Sequence, residues 1–194
     1  PYPTLLRFPA PAEPSGGSGS PALADFENFM ADHLTPFLEL SKKIGGDVSA
    51  VSEIVKKAFD AQRDFIALVV RCKKPSSPTD FQKLLQPTSE QINAAGALNS
   101  KVRGEFSNHL QTVAAGLGAL GWVTIEKTPA PFVKEMLPSA QFYSNKILVA
   151  YKNKDQQQID WAKAFTTVLV ELEAYVKRNF LTGITWNAKM HTGQ

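Results

Sequence analysis

The sequence is short of the residues on which most protein chemistry depends. Of its 194 residues one is cysteine, Cys72, and three are histidine. A single cysteine excludes an intramolecular disulfide framework and suits a reducing compartment. With no second thiol for metal or redox chemistry, Cys72 reads as a core residue. His33, His109 and His191 are never three or four residues apart, and no carboxylate–histidine cluster has metal-ligand spacing, so neither a metal nor a cofactor is implied. His33 and His109 fall within helical patterns and read as core-edge residues, whereas His191 lies in the tail. There is no G-x-S-x-G elbow, no phosphate loop and no H-E-x-x-H, and thus no signature of an enzyme. No apolar run approaches the roughly 20 residues of a membrane helix, and no charged-then-apolar leader opens the chain.

Charge of one sign is also scarce. The net charge is +3, from 21 Lys+Arg against 18 Asp+Glu, too little for an obvious nucleic-acid protein. Its distribution is uneven. Positions 127 to 154 hold Lys127, Lys134, Lys146, Lys152 and Lys154 against Glu135 alone, so this stretch carries +4 and the remainder −1. A solvated helix face and an electrostatic patch for an acidic partner both fit.

What is present is helix. Residues 1–21 contain six of the 13 prolines and a Gly/Ser run, and read as a linker. Residues 188–194 read as a loose tail. Between them lie six segments of helical periodicity and no convincing strand alternation. The first, about 22–43, opens on Ser20-Pro21, should bend at Pro36, and ends at "GGD" (45–47), whose Asp47 can cap the second, about 48–73. Ser77-Pro78-Thr79-Asp80 starts the third, which runs to about Val102 with a kink at Pro87. The fourth covers about 105–120, the fifth about 130–152 and the sixth about 156–181, with Asp155 as its cap and Gln158 at the capping-box position. Six such helices on short loops predict one all-α domain over 22–187, an antiparallel six-helix bundle with kinked helices at Pro36 and Pro87. Alternating strands and helices are missing, which excludes a doubly wound sheet.

One motif looks like chemistry and is not. Gly116, Gly118 and Gly121 spell G-x-G-x-x-G. A dinucleotide loop needs a strand before it. Here Phe106, Leu110, Val113, Leu117 and Leu120 form a helix stripe instead, and the glycines fall at its end. Gly121 suits the left-handed position after a helix, with Trp122 packing back on Leu117. Gly116 and Gly118 each weaken the helix by about 0.8–1 kcal/mol against alanine, which close approach of a neighbouring helix would explain.

The fifth helix is the most informative. Val133, Met136, Leu137, Ala140, Tyr143, Ile147 and Tyr151 share one face, while Glu135, Pro138, Phe142, Lys146 and Val149 lie opposite. Phe142 and Val149 are therefore apolar on the back of an amphipathic helix. Two readings fit: a helix packed on both sides, or an exposed aromatic flanked by charge that suits a protein-binding surface. Phe132 in "TPAPF" and Trp186 in "GITW" raise the same question at loops.

"KIGGDV" (43–48), "LGWV" (120–123), "PFVKEM" (131–136), "FYSNKIL" (142–148), "DWAKAF" (160–165) and "LTGITWN" (181–187) together resemble the N-terminal helical domain of the cyclase-associated proteins. The resemblance covers about 23–187. It implies a six-helix bundle, without enzymatic activity, that works with cofilin to speed actin-filament disassembly at pointed ends, in the cytoplasm and the actin-rich cortex. It implies partner contacts at Phe132, Lys134, Glu135, Lys146 and the Gly45, Gly46, Asp47 turn. An alternative role is a structural or oligomerisation bundle linking adenylyl cyclase signalling to the cytoskeleton, with Phe142 and Val149 at the interface of a homodimer. The family's heptad segment, through which the cyclase is bound, is absent from these residues, so cyclase binding is not expected of them.

Overall fold

A computed structural model describes residues 20–188. The expectations for 1–19, for 189–194 and for His191 lie outside the described residues.

Six helical segments and no strand make up the described chain. The first, α1, spans 20–44 and has three parts: Ser20–Phe29, a π turn at Met30–Leu34, and Thr35–Ile44. The π turn comes just before Pro36, which has no N–H to give to the ladder. Thr35 closes the wide turn with its backbone N–H and with Oγ1, which donates to the Met30 carbonyl at 3.2 Å. Next come α2 (Gly46–Val69), α3 (Pro78–Lys101), α4 (Ser107–Gly116, continued as a 3₁₀ stretch Leu117–Thr124), α5 (Ala130–Tyr151) and α6 (Gln156–Asn179). Pro36 stands in the first turn of the helix that follows the π turn, whereas Pro87 lies inside an unbroken α3.

Neighbours in sequence are neighbours in space. Each helix packs on the next, and α6 closes the ring against α1. Short connections force this up-and-down order. The core runs along the middle as two aromatic groups. Phe26, Phe29, Phe59, Trp122, Tyr175 and Phe180 fill one, and Phe37, His109, Trp161 and Phe165 the other.

Several local expectations hold. Ser77 caps α3, its Oγ accepting from the Thr79 N–H at 3.2 Å, and Asp155 caps α6 by accepting from the Gln157 N–H at 3.0 Å. The GGD turn ends α1 with φ of +79° at Gly45 and +55° at Gly46. The Cβ that Gly116 lacks would lie 2.7 Å from the Phe165 ring and 2.9 Å from a Leu169 methyl, so α6 does approach closely there.

Others are corrected. Gly45, not Asp47, is the residue at the N-cap of α2, and Asp47 makes no capping bond. Gln158 does not complete a capping box, because its Oε1 turns inward to His109 Nε2 at 2.6 Å. His109 is thus fully buried rather than at the core edge. Gly121 takes no positive φ: the helix tightens into the 3₁₀ stretch instead, and Trp122 stacks near Tyr175 and Phe180. Gly118 faces open space, so close packing explains Gly116 and not Gly118. Cys72 is half-buried in the turn after α2, outside the core.

Candidate protein-interaction surface

The lysine-rich stretch forms a line, not a patch. Lys127, Lys134, Lys146, Lys152 and Lys154 are all exposed, as is Glu135. They are spread over α5 and its two flanking loops, and α5 with its 22 residues is about 33 Å long. Lys134 and Lys146 are separated by about 18 Å along its axis. Glu135, Phe142, Lys146 and Val149 fall within an arc of about 60° around the helix, so these four share the solvent face.

That face settles the ambiguity in the fifth helix. Phe142 is 60% exposed and Val149 79%, while Val133, Ala140, Ser144 and Ile147 on the opposite face are buried. The helix is packed on one side only. Lys146 Nζ lies 4.6 Å from the Phe142 ring centroid and 5.4 Å from that of Tyr143, so it holds its charge over an aromatic pair. The result is a shallow apolar surface of Phe142, Val149 and Ala150 edged by Lys146 and Asn145.

The resemblance-derived residues do not converge on one site. Phe132 is half-buried at the N-terminal end of α5, where a Cβ on Gly121 would lie 3.4 Å from its ring, so it serves packing as well as surface. Lys134 and Glu135 are exposed beside it. The Gly45, Gly46, Asp47 turn is at the other end. A Cβ on Gly46 would lie 3.4 Å from Phe106, Phe106 meets His109 edge-to-face at 5.2 Å, and His109 reaches Tyr151, the last residue of α5, at 6.1 Å. One helix length thus separates the turn from Phe132, Lys134 and Glu135. Trp186 is no free loop aromatic: it is half-buried, edge-on to Phe65 at 5.8 Å and to Phe81 at 6.3 Å.

Among the described residues, no group of three or more His, Cys, Asp or Glu could hold a metal ion, and no helix is long and apolar enough to cross a membrane. Burial raises the Tyr175 hydroxyl far above its ordinary range, and the other altered group of the core is His109. Burial lowers its pKa from the ordinary histidine value, against the opposing pull of the Gln158 hydrogen bond. Its Nδ1 is buried with no hydrogen-bond partner.

The sequence profile described as "CAP, N-terminal domain" matches residues 26–184. The chain belongs to this family. The CAP relatives include the adenylyl cyclase-associated protein of Schizosaccharomyces pombe, 37% identical over 171 residues, which are 87% of this chain and 31% of that protein. The Dictyostelium discoideum adenylyl cyclase-associated protein is 37% identical over 176 residues, 90% of this chain and 38% of its own length. This chain therefore spans about a third of the curated relatives it matches. A crystal structure of the N-terminal domain of CAP, whose authors describe variable oligomerisation, superposes with a TM-score of 0.86 at 36% identity, covering 91% of this chain and 95% of that one. The Dictyostelium domain gives 0.84 at 35% identity, covering 89% and 99%. The all-α CAP bundle is thus the fold of this chain.

Two features of this CAP domain were not visible in the sequence. One is the bonding of Gln62 to Trp122. The other is a groove between the start of α3 and the C-terminal segment. Both join residues more than 50 positions apart, beyond the reach of any local pattern.

Proposed function

We propose that this domain is a non-enzymatic, actin-regulatory binding module that acts with cofilin to promote actin-filament disassembly in the cytoplasm and at the actin-rich cortex. Membership of the CAP N-terminal family carries the reading. The exposed lysines along α5 support it, since a basic ridge suits an acidic filament surface. The mechanism would be differential affinity. A ligand shifts an equilibrium only by the difference in its affinity for the two states, so the domain would bind a cofilin-decorated, dissociating filament end more tightly than a stable one. Phe132, Lys134, Glu135 and Lys146 on one helix, and Gly45, Gly46 and Asp47 at its far end, are the proposed contacts. Residues at both ends of a helix about 33 Å long imply a broad footprint or two contact sites. Single-filament imaging with cofilin, with and without the domain, tests the proposal: a pointed-end shortening rate unchanged by the domain refutes it.

A second reading rests on a separate observation. Phe142 and Val149 form an exposed apolar face on α5, and a related domain is described as variable in oligomerisation. We propose self-association of two copies through this face, as part of a scaffold linking adenylyl cyclase signalling to the cytoskeleton in the complete protein.

A further inference from the structure

A groove of about 600 Å³ lies at the end of the bundle where the loop before α3, the end of the 3₁₀ stretch and the C-terminal segment meet. That volume is within the range of ligand sites. Its walls include Phe81 and Trp186, whose rings meet edge-to-face at 6.3 Å and 66°, with Pro75 and Pro78 beside them. Gly183 brings the C-terminal wall in. Its φ is +118°, and a Cβ there would fall 2.5 Å from the Glu126 carbonyl oxygen, so only glycine lets the segment pass this close.

We propose that this groove is occupied by residues 8–14 of the same chain, FPAPAEP. Three observations converge. Aromatic-lined grooves accept proline-rich segments, because the extended polyproline geometry is preformed and loses little entropy on docking. The segment has that composition, with Pro9, Pro11 and Pro14 in seven residues. The charges match as well: Lys74 and Lys127 against Glu126 give the groove a net +1, and Glu13 is the one charged residue of 8–14.

The third observation is where the chain emerges. Tyr175 Oη donates to the Ala22 carbonyl at 2.8 Å and pins the start of α1. Ala22 shares a small cleft with Trp186, and Trp186 is a wall of the groove. The residues joining Pro14 to Ser20 are Ser-Gly-Gly-Ser-Gly. Such a tether averages about 12 Å end to end and reaches about 17 Å when extended. A segment held this close has an effective concentration on the order of millimolar, above that of any free peptide.

The test compares the full chain with a full-length variant carrying F8A, P9A, P11A and P14A, substitutions outside the bundle, by amide and indole NMR. The expected result is a shift of the Trp186 indole and of the Phe81, Ile125 and Lys127 amides on substitution, independent of protein concentration. Superposable spectra overturn the proposal. Shifts that grow with concentration also overturn it, since they would place a second copy in the groove. A free peptide of residues 8–14 should then titrate the same resonances in the variant at a concentration at least tenfold lower than in the intact chain. Equal titration of both chains, or of neither, refutes a tethered occupant.

Discussion

Gln62 and Trp122 bond across 60 residues of sequence in the middle of the core. The Trp122 indole Nε1 donates to Gln62 Oε1 at 2.9 Å, and Gln62 Nε2 donates to the Leu120 carbonyl at 2.8 Å. One amide thereby satisfies two groups of the 3₁₀ stretch, both buried. Gln62→Met keeps the volume and removes both partners. Stranding two buried polar groups costs about 2–4 kcal/mol. Urea unfolding should show a lower midpoint at unchanged slope. A midpoint within error of the parent chain would mean that the 3₁₀ stretch does not need this amide.

Two of the three glycines of the false dinucleotide motif, Gly116 and Gly118, should respond oppositely to alanine. At Gly116 a methyl would push into Phe165 and Leu169, and overpacking of this kind costs about 1–3 kcal/mol. At Gly118 the methyl meets nothing within 4 Å, and its φ is not positive. Alanine there restricts the unfolded chain and stabilises by about 0.4–1 kcal/mol. Thermal melts of G116A and G118A should therefore move apart, the first down and the second up.

His109 makes stability depend on pH. Its folded-state pKa is lowered by burial, so below the ordinary histidine value the unfolded chain binds the proton first. Stability then falls as pH falls, with a slope of up to about 1.4 kcal/mol per pH unit. The full contribution is present above pH about 6.5, and it is lost on descent towards the folded pKa. Denaturant midpoints between pH 7.5 and 5.5 should fall in the parent chain and fall less in H109Q. Equal slopes would assign the effect to another group.

The outer face of α5 can be separated from its ends. Phe142 and Val149 are exposed, so F142E and V149K should leave the melting temperature nearly unchanged. In sedimentation, the parent chain should gain mass with concentration and the double variant should not. A parent chain that is monomeric throughout removes the self-association reading.

Charge reversal tests the filament contact independently. K134E and K146E alter exposed side chains that have no ion-pair partner among the described residues, so helicity should persist. The cofilin-dependent shortening rate should drop several-fold, more so at low salt, as expected for exposed charges. Unchanged kinetics would exclude the α5 lysines from the contact.

The sequence alone determined the helices, two of their caps and their order around the bundle. These are local matters: apolar residues recur every three or four positions, Ser77 and Asp155 reach a backbone N–H two residues on, and short loops leave only antiparallel neighbours. Tertiary structure decided the rest. Gln158 has the right spacing to cap its own helix, yet a buried His109 49 residues away offers a partner shielded from water, and the side chain turns to it. Gly121 has the right place to end a helix in the left-handed region, yet burying Trp122 against Tyr175 and Phe180 winds the chain tighter instead. Whether Phe142 was inside or outside depended on how many neighbours α5 has, and periodicity along one helix does not contain that number. The docking of Trp186 on Phe81 likewise required the chain's end to return to a helix begun more than a hundred residues earlier. Periodicity is a property of one segment, but a surface belongs to whichever segments fail to cover it.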